Sequence, residues 1–219
     1  MLLIQPSLKR KVFFFPFTIF GPMKFLIAGL GNTGNEYAHT RHNIGFDVAF
    51  AFVNKHGGSF KTGRLAYTAE IKWKGKIFIV ICPTTYMNLS GKAVKYWMDK
   101  EKILSENILV IVDELALPLT KLRLRPSGSD GGHNGLTSVQ EHLGTTEYPR
   151  LRFGIGNKYP KGLQADFVLG KWQKDEEPIV QYKIGKAVET IENFALMGVT
   201  AAMNQVNNKE FLPEDGDKK

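Results

Sequence analysis

Residues 29–45 read GLGNTGNEYAHTRHNIG and follow the apolar run KFLIA at 24–28. That run has the length and composition of a short buried strand. Gly29, Gly31 and Gly34 then match G-x-G-x-x-G, the fingerprint of a dinucleotide-binding turn between strand and helix. In such a turn the helix starts at the glycines and packs small apolar residues on the strand. Here Gly34 is followed by the polar stretch NEYAHTRH, and no acid ends a second parallel strand; Glu70 sits inside an alternating, hairpin-like segment. A lone fingerprint is a weak signal, so NAD or FAD binding is disfavoured. Neither a G-x-x-x-x-G-K-[ST] loop nor a G-x-S-x-G elbow occurs. The glycine turn therefore serves another purpose.

Outward from this turn, element types alternate. Residues 43–56 carry Ile44, Val48, Ala51 and Phe52 at helical period and stop at Gly57 and Gly58. Residues 65–73 alternate as a strand, and Lys74-Gly75 turns the chain into a second strand at 76–82. Ser90 is placed to cap a helix bearing Val94, Trp97 and Met98. A buried strand follows at 107–113, then an alternating one at 120–125 with Lys121, Arg123 and Arg125 on one face. A short helix at 135–142 ends at Gly144, a strand occupies 151–155, and a long amphipathic helix covers 175–197. Strands interleaved with helices, plus one hairpin, predict a single α/β domain over residues 23–206. Its mixed, twisted β-sheet is flanked by α-helices on both faces. Residues 207–219 hold little apolar content and read as a flexible tail.

At 219 residues the chain suits one domain with one sizeable core. Its 43% hydrophobic and 23% charged content is that of an ordinary globular protein, while a net charge of +8 suits a polyanionic partner. One cysteine, Cys82, excludes an internal disulfide framework and fits a reducing, cytoplasmic setting. Lying in an apolar strand, it reads as a small buried hydrophobe. The first 22 residues stand apart. Lys9, Arg10 and Lys11 precede VFFFPFTIF at 12–20, which loosely imitates a secretion signal. Pro16 interrupts the apolar part, no A-x-A site follows, and the run is too short to span a bilayer. A core strand begins just after a second methionine, Met23. The favoured reading is a disordered extension or a start assigned too far upstream; secretion is the lesser one. Without Lys9, Arg10 and Lys11 the net charge is still +5.

In open α/β sheets, ligands bind beyond the carboxyl ends of the strands. Four polar, glycine- or proline-bearing segments fall there or at a helix start, at 29–43, 83–91, 113–118 and 127–135. They bring His42, Asp113, His133, Asn32, Asn88 and Asn134 to one cleft. His42 is the best base, because imidazole titrates near neutrality. With Thr40 as N-cap it falls in the first helical turn, where the dipole favours the neutral, proton-accepting ring. Asp113 at a buried strand's end is placed to hold the other ring nitrogen. The bland alternatives are a packed or capping histidine and a solvated turn aspartate. Asparagine is common in turns, but as a set these amides can grip a peptide backbone or ribose at any working pH. A metal site from His39, His42 and Asp113 is disfavoured, since no third histidine follows at zincin spacing. A non-catalytic RNA-binding module is the stronger alternative, given the basic face of 120–125 with Arg150 and Arg152 nearby. A cleft histidine beside an aspartate favours an enzyme.

The stretches GLGNTGNEYAHTRHNIGFDV, TTYMNLSG, VDELALP and GGHNGLTSV occur in that order. Together they resemble the bacterial peptidyl-tRNA hydrolase family, from Met23 to about Met203. Two departures are visible: Thr33 where the family usually has proline, and Ala116 where it usually has an acid. The resemblance implies a monomeric α/β enzyme that needs no metal or cofactor. It would cleave the ester between a peptide and the terminal ribose of tRNA and so recycle tRNA from stalled translation. It implies His42 as catalytic base and Asp113 as its support. Asn32 would discriminate peptidyl from free aminoacyl substrates, and Asn88 and Asn134 would bind substrate. Tyr37 and Tyr86 match the family's aromatic contacts to the tRNA end, for which base stacking is the rationale. His133 lies in the same cleft motif and is expected to support the loop of Asn134. Arg123 and Arg125 are candidate phosphate contacts.

Overall fold

The computed structural model describes residues 22–213. Strand β1 (Lys24–Gly29) runs into the turn, and helix α1 (Ile44–Lys55) returns over it. The reason for the glycines lies here. A Cβ on Gly29 would stand 2.1 Å from the carbonyl oxygen of Gly45, and one on Gly45 would stand 2.5 Å from that of Ile111. Only a glycine pair lets the start of α1 touch the ends of the central strands backbone to backbone. The turn is thus a helix-on-strand crossing and not a phosphate cradle.

The chain continues through β2 (Lys61–Gly63), β3 (Ala66–Trp73), β4 (Lys76–Pro83), α2 (Ser90–Glu101) and β5 (Ile108–Glu114). Then come β6 (Leu122–Arg125), α3 (Asn134–Leu143), β7 (Arg150–Gly154), α4 (Gln164–Leu169) and α5 (Glu177–Val206). The seven strands form one sheet in the order β2-β3-β4-β1-β5-β7-β6. β4, β1, β5 and β7 are parallel; β2, β3 and β6 join antiparallel at the two sides. One face carries α1 and α5 over Ile27, Val80, Ile111 and Leu151, and the other carries α2 and α3 over Leu26, Ile81 and Val110. The parallel strands are apolar nearly throughout because both faces are covered. Their carboxyl ends share one rim, so residues 30–43, 84–89 and 115–121 gather there.

The α/β class, the mixed sheet and the helices on both faces agree with expectation; several local expectations do not. Thr40 does not cap α1: its hydroxyl donates to the carbonyl of Tyr37, and a 3₁₀ turn, Arg41–Asn43, precedes the helix. Ser90 is the buried first residue of α2 and makes no cap bond. The helix expected to end at Met197 breaks at Gly198, whose φ is 82°, but resumes and reaches Val206. The residues from 207 onward do not begin as a flexible tail. Asn207 donates to and accepts from the backbone of Leu124 on the edge strand, and the amide of Phe211 donates to Thr120 at 2.8 Å. Phe211 is buried in the core, which alone contributes about 2 kcal/mol. All but Pro22 of the expected extension at 1–22, and the end of the tail at 214–219, lie outside the described residues. No helix among the described residues is long and apolar enough to cross a membrane.

Candidate active site

Asp113 is the penultimate residue of β5, where the strand's own pairing fixes its backbone. Its carboxylate is buried and receives two imidazoles on one oxygen. His42 Nδ1 lies 2.8 Å away and His133 Nε2 3.0 Å away. The protons can be placed by their partners. Nδ1 of His133 accepts the amides of Gly135 and Leu136, capping α3, so its proton sits on Nε2 and is donated to Asp113. Nδ1 of His42 donates to the same oxygen, which leaves its Nε2 with a lone pair. Burial pushes the carboxyl of Asp113 up, but the two imidazoles outweigh it and hold the group well below the usual carboxylate range. His133 therefore does more than support the next loop: it holds Asp113 on the same oxygen as His42, the two rings lying 5.0 Å apart.

A cavity of about 420 Å³ opens on this triad, lined also by Gly131, Gly132, Asn134, Gln164 and Val168. Asn134 is exposed as the first residue of α3, and its side chain has no hydrogen-bond partner among the described residues. Asn32 stands beside the His42 turn. Its side-chain oxygen accepts the amide of Met87, and its NH₂ has no hydrogen-bond partner among the described residues. Its backbone is gripped at both ends by Asn43, which accepts from its N–H and donates to its carbonyl, each at 2.8 Å. Asn43, one residue beyond His42, was not singled out by sequence; the only signal was a buried amide at a helix start.

Asn88 and Tyr86 sit on the 3₁₀ turn before α2, both exposed, and Tyr86 is 77% accessible. Neither lines the cavity, nor do Asn32 and half-buried Tyr37, so the single cleft expected for all of them is not what forms. His39 is not near the triad: its ring bonds to Asp47 at 3.1 Å, so the metal set of His39, His42 and Asp113 does not assemble. His42, Asp113 and His133 do offer nitrogen and oxygen atoms within 4.8 Å of one another. Those atoms already satisfy each other's hydrogen bonds, and the remaining nitrogen of His133 is spent on α3. The cluster is complete as a proton network.

The basic face divides. Arg123 and Arg125 are exposed on edge strand β6, while Leu122 and Leu124 point into the core. Lys121 is paired with Glu210 at 3.2 Å. Arg150 is not part of a phosphate track: it is fully buried and donates to the carbonyls of Gly128, Ser129 and Thr146. Arg152 is also engaged, with Glu114 and the carbonyl of Ser129. Both hold the glycine-rich loop that leads to His133. Cys82 is buried with its thiol pushed up by desolvation, as a packing residue should be.

A second cavity, about 930 Å³, adjoins the first across Leu115 and is lined by Leu117, Pro118, Ile155, Tyr159, Leu163 and Ile179.

The family described as peptidyl-tRNA hydrolase matches residues 26–214. A peptidyl-tRNA hydrolase of Parabacteroides distasonis is 51% identical over 187 residues, covering 85% of this chain and 100% of the relative. One from Phocaeicola vulgatus is 50% identical over the same shares. The crystal structure of peptidyl-tRNA hydrolase from Acinetobacter baumannii superposes with a TM-score of 0.81 at 34% identity, covering 88% of this chain and 98% of that one. Matched in sequence over residues 26–214 and in fold over 88% of its length, the chain belongs to the peptidyl-tRNA hydrolase family.

Proposed function

We propose that this chain hydrolyses the ester between a peptide and the 3′-terminal ribose of tRNA, with His42 as general base. The observation that carries this reading is one imidazole nitrogen, Nε2 of His42, left with a lone pair at an open cavity while a buried carboxylate holds the other. His42 takes a proton from water as the oxygen attacks the ester carbonyl carbon. Asp113 keeps the ring in the accepting tautomer and stabilises the imidazolium that forms. The amide of Asn134, at the N-terminus of α3, is a side-chain donor lining the cavity and serves the tetrahedral oxyanion. Collapse breaks the bond to the ribose oxygen, which leaves with the proton from His42. No step calls on a cofactor.

Asn32 offers its NH₂ to the acylated amide of a peptidyl substrate. Asn88, Tyr37 and Tyr86 meet the substrate further out, where exposed rings can stack on the terminal adenine. The peptide runs into the apolar second cavity. Arg123 and Arg125 take tRNA phosphates, and the chain acts as a cytoplasmic monomer. The test is turnover of N-acetyl-aminoacyl-tRNA by the purified chain. Release of the N-acetyl amino acid supports the enzyme; binding without release would leave an RNA-binding module.

A further inference from the structure

The wall between the two cavities is α4. Its Gln164, Ala165 and Val168 line the triad's cavity, while Asp166 and Phe167 line the larger one. A six-residue helix with no fully buried residue, only Phe167 and Val168 resting partly on the core, depends on its neighbours for its position. Its principal neighbour is the 3₁₀ turn that carries His42, and the link is Arg41. This side chain is buried, with its guanidinium carbon 4.3 Å from the ring centre of Phe167 and 5.0 Å from that of Trp172. Its terminal nitrogens donate to the carbonyl of Lys171 at 2.8 Å and to the carboxylate of Glu176 at 2.6 Å. Its own amide donates to Gly170 at 3.0 Å, and Thr40 bridges to Lys171. Every one of these contacts lies in α4 or in the residues that lead from it to α5.

We propose that Arg41 is a positioning residue that fixes α4 over the cleft and thereby selects substrates by their acyl part. The inference rests on the hydrolysis proposed above. A guanidinium is required because only a planar cation can stack on aromatic rings while donating from its edge; an ammonium keeps the charge and loses the stack. Of the triad, Asp113 is held by β5, His133 by α3, and His42, next to Arg41 on the same turn, by its Nδ1 bond to Asp113; a lysine at 41 keeps the backbone bond of that turn to Gly170. A loosened α4 therefore alters how a peptide is gripped and leaves proton transfer alone.

The experiment compares kcat and KM for N-acetyl-aminoacyl-tRNA and for a tRNA carrying a peptide of several residues. Wild-type turnover of the first substrate is the control, and its failure would sink the hydrolase reading and not this one. In Arg41→Lys, KM for the longer substrate should rise about tenfold. Its kcat, the pH profile of kcat, and the short substrate should stay near wild type. Trp172→Leu, which removes one stacking face at a distance from the triad, should give the same pattern. In both variants amide exchange should quicken at 164–170 but not in α3. Equal losses on both substrates, a displaced pH profile, or wild-type KM values in a variant with faster exchange would each overturn the proposal.

Discussion

The corner where β5 meets the His42 turn and the outer edge at β6 are both rich in polar side chains, yet they use them in opposite ways. At the corner nearly every polar atom has a protein partner. Asp113 holds two imidazoles, Asn43 holds Asn32, and His133 caps α3. At the edge, Arg123 and Arg125 have no salt-bridge partner among the described residues. Arg123 lies opposite Arg152 and Arg125 opposite Arg150 in the β6–β7 register, so free and spent arginines are neighbours on one face. Sharing a face does not make a shared surface. The β7 arginines turn inward to the carbonyls of Gly128, Ser129 and Thr146 and to the carboxylate of Glu114, and leaving such a buried donor unpaired costs about 1–3 kcal/mol. The β6 arginines have only solvent, or a polyanion, to meet.

If the corner is an oriented catalytic network and the edge a docking strip, substitutions should separate along that line. The largest effect should come from His42→Ala. Turnover should fall about 10²–10⁴-fold on full-length tRNA and on a short N-blocked aminoacyl-adenosine alike, with the fold intact by circular dichroism. Near-normal turnover by the folded variant would remove His42 from the chemistry. Asp113→Asn keeps an oxygen for both imidazole N–H groups and loses only the charge. It should cost less, about 10–100-fold, again on both substrates.

Asn32→Asp sharpens the comparison within the corner. The new carboxylate can still accept the amide of Met87, but it puts a charge where the NH₂ stood. A free α-amino group, mostly protonated near neutral pH, then becomes welcome. The ratio of kcat/KM for blocked over unblocked aminoacyl-tRNA should narrow; an unchanged ratio would dismiss Asn32 as the discriminator. At the edge, Arg123→Ala with Arg125→Ala should raise KM for full-length tRNA and leave the short substrate nearly unchanged. The log–log salt dependence should flatten by about 1.5 for two lost phosphate contacts. Equal losses on both substrates would place these arginines with the corner.

The smallest effect on activity should come from Lys183, a buried cation of the inward kind. It donates to the carbonyls of Leu119 and Gly154, and burial pulls its ammonium down to about 6. An unfolded chain holds that proton up to about pH 10.4, so between these values the unfolded state binds the extra proton. The wild type should then gain stability as pH rises from 6, by at most about 1.4 kcal/mol per pH unit. Lys183→Met should lack that gain in denaturant titrations at pH 6 and pH 9, whereas the Arg123 and Arg125 variants should keep it.

Local pattern alone determined the class of the fold and most of its elements, because burial period, turns and caps are written within a few residues. It also singled out His42, Asp113 and Asn134, since a base, an acid and an amide at strand and helix ends are visible one segment at a time. The structure brings these three to one cavity. What the sequence could not determine is who meets whom. That one oxygen of Asp113 takes both His42 and His133 depends on three segments converging from 71 and 20 residues away. That Arg150 is interior and Arg123 exterior depends on which loop covers which end of the β6–β7 pair, and both read as the same alternation. Residues 164–169 carry too short a pattern to announce a helix, and their place over the cleft comes from Arg41, more than 120 residues earlier. The tail from 207 reads as unstructured because Phe211, its one buried residue among those described, finds its pocket only once β6 and α5 are assembled. Periodicity records which face of a segment is buried; only the folded chain decides what that face is buried against.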